Sequence, residues 1–344
     1  EVLHGVLTLP VGGTKHPALV LVEGSRGAPG DPEGVLTPTF VDHSRRFALE
    51  GVAALRYDPP GVGRSTGQRG LPSLDVRTAE TAAAVSYLRT SPAIDADRVG
   101  LLGVSQGGWV IAMTAAQYPD DVAFVVSVVG SGQSVAEQQI YGIEAQSRAA
   151  GLADDDVTRA VLFGRLLIDW QLTDPMFHDV NVADADALGL GPWTSLMDIV
   201  YDTGEHDPVG ALGAGIQIMK SVQDEPWTEA LHLRDLYIPR FESLPADITP
   251  EQLAAVQATI DENLTVDPRD FLTEVRAPVV AFFGEDDVTV DSRTSAELYR
   301  QYLTDAGNED FTIVVIPDVG HGITTATPGY WDTLSEWLGT RVLG

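Results

Sequence analysis

Ser105 stands in Gly103-Val104-Ser105-Gln106-Gly107-Gly108, and His321 stands in Gly320-His321-Gly322. Between them in the chain runs the carboxylate loop Gly284-Glu285-Asp286-Asp287-Val288-Thr289-Val290. A serine, an acid and a histidine in that order can perform nucleophilic acyl transfer. A serine hydroxyl is a weak nucleophile, so an imidazole must take its proton and a third group must orient the imidazole. The stretch around Ser105 fits G-x-S-x-G, with the apolar run 99–104 upstream reading as a strand and 109–116 downstream reading as a helix. A serine on such a strand-to-helix turn is a nucleophile elbow. The turn predicts a strained backbone at Ser105, a cost of roughly 1–3 kcal/mol. Gly103 and Gly107 lack a Cβ, so strand and helix can close around it. An ordinary Gly-rich loop shares the bare pattern, so the partners decide.

His321 directly follows the last predicted strand, and its flanking glycines let the loop bring an imidazole near the elbow. His4 and His16 lie too near the N-terminus for that role, and His178, His206 and His232 read as solvated or capping groups. Three adjacent carboxylates resist joint ionisation if all are buried, so at most one should point inward. Spacing from Gly284 favours Asp287, with Asp286 second. Residues 130–133, after the strand that follows the elbow, offer no carboxylate. Acyl transfer also needs donors where the carbonyl oxygen becomes negative. The Gln106 backbone N–H supplies one at the start of the elbow helix, where the helix dipole helps. The second is expected from Val22-Glu23-Gly24-Ser25-Arg26-Gly27, with the Ser25 N–H as the choice.

Those residues need a scaffold. Continuous apolar runs at 18–22, 52–57, 98–104 and 123–129 alternate with helical spacing at 40–50 and 73–89. Unbroken runs rather than alternation predict strands covered on both faces, as in a mostly parallel, doubly wound α/β sheet. Residues 2–9 alternate loosely and predict an antiparallel edge strand. From 131 to 270 the rhythm gives way to a Pro-punctuated helical stretch. It then resumes with strands at 278–283 and 311–316 and helices at 292–304 and 330–338. The expected organisation is one core, residues 1–130 and 271–344, interrupted by a helical insertion, residues 131–270.

With Gly24-Ser25, the elbow, Gly284-Glu285-Asp286-Asp287 and Gly320-His321-Gly322 in this order, the chain resembles the α/β-hydrolase superfamily. It looks most like that superfamily's bacterial esterase, dienelactone-hydrolase and prolyl-oligopeptidase-like branch. Asp58-Pro59-Pro60-Gly61-Val62-Gly63-Arg64-Ser65 matches the family's D-x-x-G-x-G-x-S turn. That turn has no GK[ST] and no helix start, so it is neither a phosphate loop nor a dinucleotide fingerprint. The resemblance implies an α/β-hydrolase fold, a Ser105-His321-Asp287 triad, an acyl-enzyme intermediate and no cofactor or metal. The carboxylic-ester reading comes first. Peptidase, lactonase, thioesterase and carbon–carbon bond hydrolase remain open on the same triad, as does a non-catalytic binding protein on this fold. The family usually has His-Gly where this chain has Glu23-Gly24, and a carboxylate there needs a partner such as Arg26 or Arg64. The resemblance also makes residues 131–270 a cap over the serine. Trp170, Phe177, Trp193, Tyr201, Trp227 and Phe241 would offer lining for an apolar or aromatic part of a small-molecule substrate.

Composition bounds the partners. The formal charge is −29, from 50 acidic and 21 basic residues, with Lys15 and Lys220 the only lysines. Such a surface repels nucleic acid and anionic membranes. It fits salt adaptation and a GC-rich genome equally well. No run of about 18 apolar residues predicts a membrane span. Zero cysteines exclude disulfides, thiol catalysis and zinc–thiolate sites. The start at Glu1, without methionine or an apolar leader, predicts a trimmed or processed N-terminus, which leaves cytoplasmic and secreted locations open.

Overall fold

In the computed structural model, which describes residues 1–13, 15–25, 34–67, 72–171 and 208–344, the apolar runs pair into a seven-stranded sheet. The strands are β1 (Gly5–Thr8), β2 (His16–Val22), β3 (Ala53–Tyr57), β4 (Ile94–Val104), β5 (Val125–Val128), β6 (Val279–Gly284) and β7 (Phe311–Ile316). Their order is β1-β3-β2-β4-β5-β6-β7. β1 pairs antiparallel with β3, as the loose alternation predicts, and the other pairs are parallel. β4 begins four residues before the predicted run. His16 pairs with Ile94 across a register shift, and the polar, partly exposed Asp95–Arg98 segment hides that extension from an apolarity count.

Register is what makes a site possible. Val22 pairs with Gly103, Val104 with Val128, Val128 with Phe282, and Gly284 with Ile316. The carboxyl ends of β2, β4, β5, β6 and β7 therefore line up along one edge, where open α/β sheets present their loops. Helices α1 (Pro38–Leu49), α2 (Leu74–Thr90) and α3 (Gly107–Gln117) connect the first strands. Ser73 caps α2 by accepting the Val76 N–H at 3.2 Å, and α2 and α3 pack against β4. Phe40 and Phe47 of α1 join Trp331, Leu334 and Leu338 of the last helix, Tyr330–Arg341, over Leu19, Leu21, Val126 and Phe282. Burial of each such side chain stabilises the fold by roughly 1.5–3 kcal/mol.

The described residues divide into two compact units, Glu1–Gln133 with Asp267–Gly344, and Ser134–Val266. The second unit is helical. It contains α4 (Val135–Ala149) and α5 (Asp154–Gln171), then helices Pro208–Val222 and Pro250–Leu264. Reciprocal capping boxes, Ser134 with Glu137 and Thr249 with Gln252, start α4 and the Pro250–Leu264 helix. Asp154, Asp155 and Asp156 sit in the first turn of α5, where the helix dipole favours negative charge. Trp227 meets Phe163 edge-on at 5.5 Å, and Phe241 stacks with Tyr237 at 6.4 Å. Both Trp227 and Phe241 are buried, packing this unit's own helices, so neither is the free lining expected from sequence. Phe177, Trp193, Tyr201, His178 and His206 lie outside the described residues, as does the Trp170 side chain.

Candidate active site

β4 ends at Val104, and Ser105 follows with φ 53° in the left-handed region. The strained serine is held by its N–H donating to Val128 O at 2.9 Å and its carbonyl accepting the Gly108 N–H at 2.8 Å. The flanking glycines are required by contact. A Cβ on Gly103 would stand 2.3 Å from Gly107 O, and one on Gly107 would stand 2.4 Å from Val22 O. The strand, the elbow helix and the end of β2 approach too closely for any side chain.

β6 and β7 deliver the other two groups. Among the three adjacent acids, Asp287 is 2% exposed while Glu285 and Asp286 are exposed. One oxygen of Asp287 accepts the Thr289 and Val290 N–H groups at 2.7 and 3.0 Å; the other lies 2.8 Å from His321 Nδ1. His321 Nε2 lies 3.0 Å from Ser105 Oγ. The loop that carries His321 folds back over β6, so that a Cβ on Gly284 would stand 2.4 Å from Val319 O and Gly320 O. Three residues far apart in sequence thus form one hydrogen-bonded line. Nδ1–H donates to the carboxylate, which leaves the Nε2 lone pair facing the serine hydroxyl.

The expected oxyanion donors sit beside this line. Gln106 is the N-cap of α3, where backbone N–H groups lack helical partners. Ser25 is exposed in the loop after β2, next to Gly24, whose Cβ would stand 3.2 Å from Ser105 Cβ. Neither backbone N–H donates to another described residue.

One expectation about charge needs correction. Arg64 is not the partner of Glu23. Its backbone N–H donates to Asp58 Oδ2 at 3.1 Å, and its guanidinium lies 3.4 Å from His4 Nε2. Glu23 Oε1 instead accepts the Gly34 N–H at 2.8 Å and the Thr37 hydroxyl, so the carboxylate holds the described turn, Gly34 to Thr37, that leads into α1. Arg26 lies outside the described residues. His4, set aside as too near the N-terminus, has a structural task. Its Nδ1 lies 2.8 Å from Asp58 Oδ2 at the D-x-x-G-x-G-x-S turn. Burial opposes ionisation of Asp58, but the Val35 and Arg64 N–H groups and His4 outweigh it and hold the carboxyl below its usual range.

Sequence reading also missed Arg77. Its guanidinium donates to Gln106 Oε1 and to the Glu23 backbone carbonyl. The signal was present: Leu74, Arg77, Thr81, Ala84 and Leu88 recur at helical spacing on the buried face of α2. Arginine on such a face needs a partner.

Among the described residues no group of three or more His, Asp or Glu side chains is placed to hold a metal ion. No helix among them is long and apolar enough to cross a membrane.

Comparison with known proteins gives the same architecture. The alpha/beta hydrolase fold family matches residues 17–323. The "Uncharacterized 31.7 kDa protein in traX-finO intergenic region" of Escherichia coli is 32% identical over 109 residues, 32% of this chain and 36% of that protein. Thiohydrolase apmlB of Arthrinium phaeospermum is 37% identical over 86 residues, 24% of this chain and 27% of that protein. The match thus spans about a third or less of the length of these curated relatives. Est1E from Butyrivibrio proteoclasticus, in its structure with ferulic acid bound, is similar with a TM-score of 0.52 at 15% identity. That likeness covers 99% of this chain and 96% of the other.

Proposed function

Because the chain belongs to the alpha/beta hydrolase fold family, we propose that it is a serine hydrolase of carboxylic esters. The observation that carries this reading is the continuous line from Ser105 Oγ through His321 to the buried Asp287, with contacts of 3.0 and 2.8 Å. In the proposed reaction Ser105 Oγ attacks the carbonyl carbon as its proton passes to His321 Nε2. Asp287 orients the ring and stabilises imidazolium. The Ser25 and Gln106 N–H groups receive the oxyanion. His321 then protonates the departing alcohol, and water attacks the acyl-enzyme by the same route in reverse.

The reading includes an apolar or aromatic acyl part in the substrate, the esterase-like branch of the family, and the helical unit Ser134–Val266 as the cap. The cap assignment is supported by that unit's place in the chain, between β5 and β6. Thioester hydrolysis is the second reading, favoured by the 37% identity to a thiohydrolase over 86 residues.

A fluorophosphonate probe tests the first step: the expected result is an adduct on Ser105, lost in Ser105→Ala and His321→Ala together with p-nitrophenyl ester turnover. An unlabelled Ser105 in folded protein overturns the reading and favours a binding protein on this fold. A substrate panel then separates the bonds, with matched oxygen esters, thioesters, lactones and amides. A feruloyl ester belongs in it because ferulic acid is bound in the Est1E structure.

A further inference from the structure

Arg77 joins the two segments that carry the proposed oxyanion donors. It lies on α2, 5% exposed, and its guanidinium forks. Nη1 donates to Gln106 Oε1, the side chain of the residue whose backbone N–H is one donor. Nη2 donates to the backbone carbonyl of Glu23, two residues before Ser25, whose N–H is the other. The same Glu23 carbonyl lies against the elbow helix, since a Cβ on Gly107 would stand 2.6 Å from it.

We infer that Arg77 is a positioning residue that fixes the spacing of the two oxyanion donors. The inference rests on the serine-hydrolase reading. An oxyanion hole works because its donors are already aimed at where negative charge will develop, so no reorganisation is needed during the reaction. Here the donors belong to separate elements, the loop after β2 and the N-terminus of α3. Two elements that move independently would vary the gap between them. A planar guanidinium with donors in a fixed fork holds both with one rigid group, which the single ammonium of lysine cannot do. Arginine also stays protonated, so it places a permanent positive charge against both segments that carry the donors. That charge favours the oxyanion and opposes the unfavourable field of the Glu23 carboxylate on the same loop.

The test uses Arg77→Met, which keeps bulk but removes the fork, beside Arg77→Lys and Gln106→Met, which keeps the backbone donor. Each is read by kcat and KM on a p-nitrophenyl ester and by affinity for a trifluoromethyl ketone, which forms a tetrahedral adduct. Loss of the fork is expected to lower kcat on the order of 10- to 100-fold, below the 10²–10³ of deleting a donor outright. KM should change little, and ketone affinity should fall in step with kcat/KM. Arg77→Lys should recover part of the loss. The Arg77→Met/Gln106→Met pair should fall short of the product of the single effects, because both break one contact. A folded Arg77→Met with wild-type kcat and ketone affinity overturns the inference, as does a variant that only melts earlier. If Arg77→Met does not fold, Arg77→Lys and Gln106→Met decide by the same readouts. Fluorophosphonate labelling of wild-type Ser105 separates the two failures: labelling with unaffected variants overturns only the role of Arg77, while no labelling overturns both.

Discussion

Asp287 divides its carboxylate between His321 and the backbone, giving the imidazole one oxygen and two N–H groups the other. The division fixes what an amide would do in its place. In Asp287→Asn the amide oxygen would stay with the Thr289 and Val290 N–H groups, and the NH₂ would face His321 Nδ1. The ring would then carry its proton on Nε2 and could not accept one from Ser105. The expected result is a folded protein whose kcat on a p-nitrophenyl ester falls about 10⁴-fold. Asp286→Asn, at an exposed neighbour, should leave kcat within about twofold, as surface changes away from a site usually do. Equal losses in the two variants would reassign the acid.

Gly103→Ala tests the elbow's packing. The added Cβ would meet Gly107 O at 2.3 Å, with no flexible side chain there to give way. Strain of this kind costs about 1–3 kcal/mol or more, read as a lower urea midpoint, and fluorophosphonate labelling of Ser105 should slow. Gly339→Ala is the matched control. Gly339 lies within the Tyr330–Arg341 helix, and a Cβ there meets nothing within 4 Å. Its replacement should stabilise by up to about 1 kcal/mol.

His43 links stability to pH. Its Nδ1–H donates to Thr39 O at 2.7 Å, and its Nε2 accepts the Tyr330 hydroxyl at 3.0 Å, an arrangement only the neutral ring can make. Burial lowers its pKa, outweighing the Thr39 contact and the nearby Asp42 charge. Imidazole in the unfolded chain titrates near 6.5, so above about pH 6.5 both states are neutral and this group adds no pH dependence. Below that pH the unfolded chain takes the proton first. Stability then declines by up to about 1.4 kcal/mol per pH unit until the folded pKa is reached. His43→Phe should have a lower plateau, because Tyr330 loses its acceptor, and should lack this acid slope. Urea midpoints from neutral to mildly acid pH measure the difference. Parallel curves for the two proteins would remove His43 from the account.

What could be read from sequence depended on how local its cause was. The strands followed from continuous apolar runs, and the site edge followed from the loops after them. Asp287 stood out because three crowded carboxylates allow one inward member, an argument that needs only neighbours. Arg77 needed the periodicity of α2 combined with tertiary contacts to Glu23 and Gln106, 54 and 29 residues away. His4 was set aside by position in the chain, yet β1 brings it to Asp58 by pairing with β3. Trp227 and Phe241 show the converse error: aromatic content marks burial, but only tertiary contacts tell a helical unit's own core from a ligand surface.

The net charge of −29 sets a last expectation, that thermal stability rises with salt. Salt acts on two opposed terms. It weakens attractive ion pairs, such as Arg148 with Glu144 and Asp154, but these are exposed on both sides and exposed pairs stabilise little. It also screens repulsion among carboxylates that outnumber bases by more than two to one, and this repulsion opposes the compact state. Screening length falls from about 10 Å at 0.1 M to about 3 Å at 1 M, so most of the gain should appear across that interval. Differential scanning calorimetry in sodium chloride, with sodium sulfate at matched ionic strength, measures it. A melting temperature that climbs equally in both salts assigns the effect to screening, and one that climbs only in sulfate assigns it to exclusion of that salt from the surface. A flat or falling curve in both means that the paired charges outweigh the repulsion, and salt adaptation loses its support.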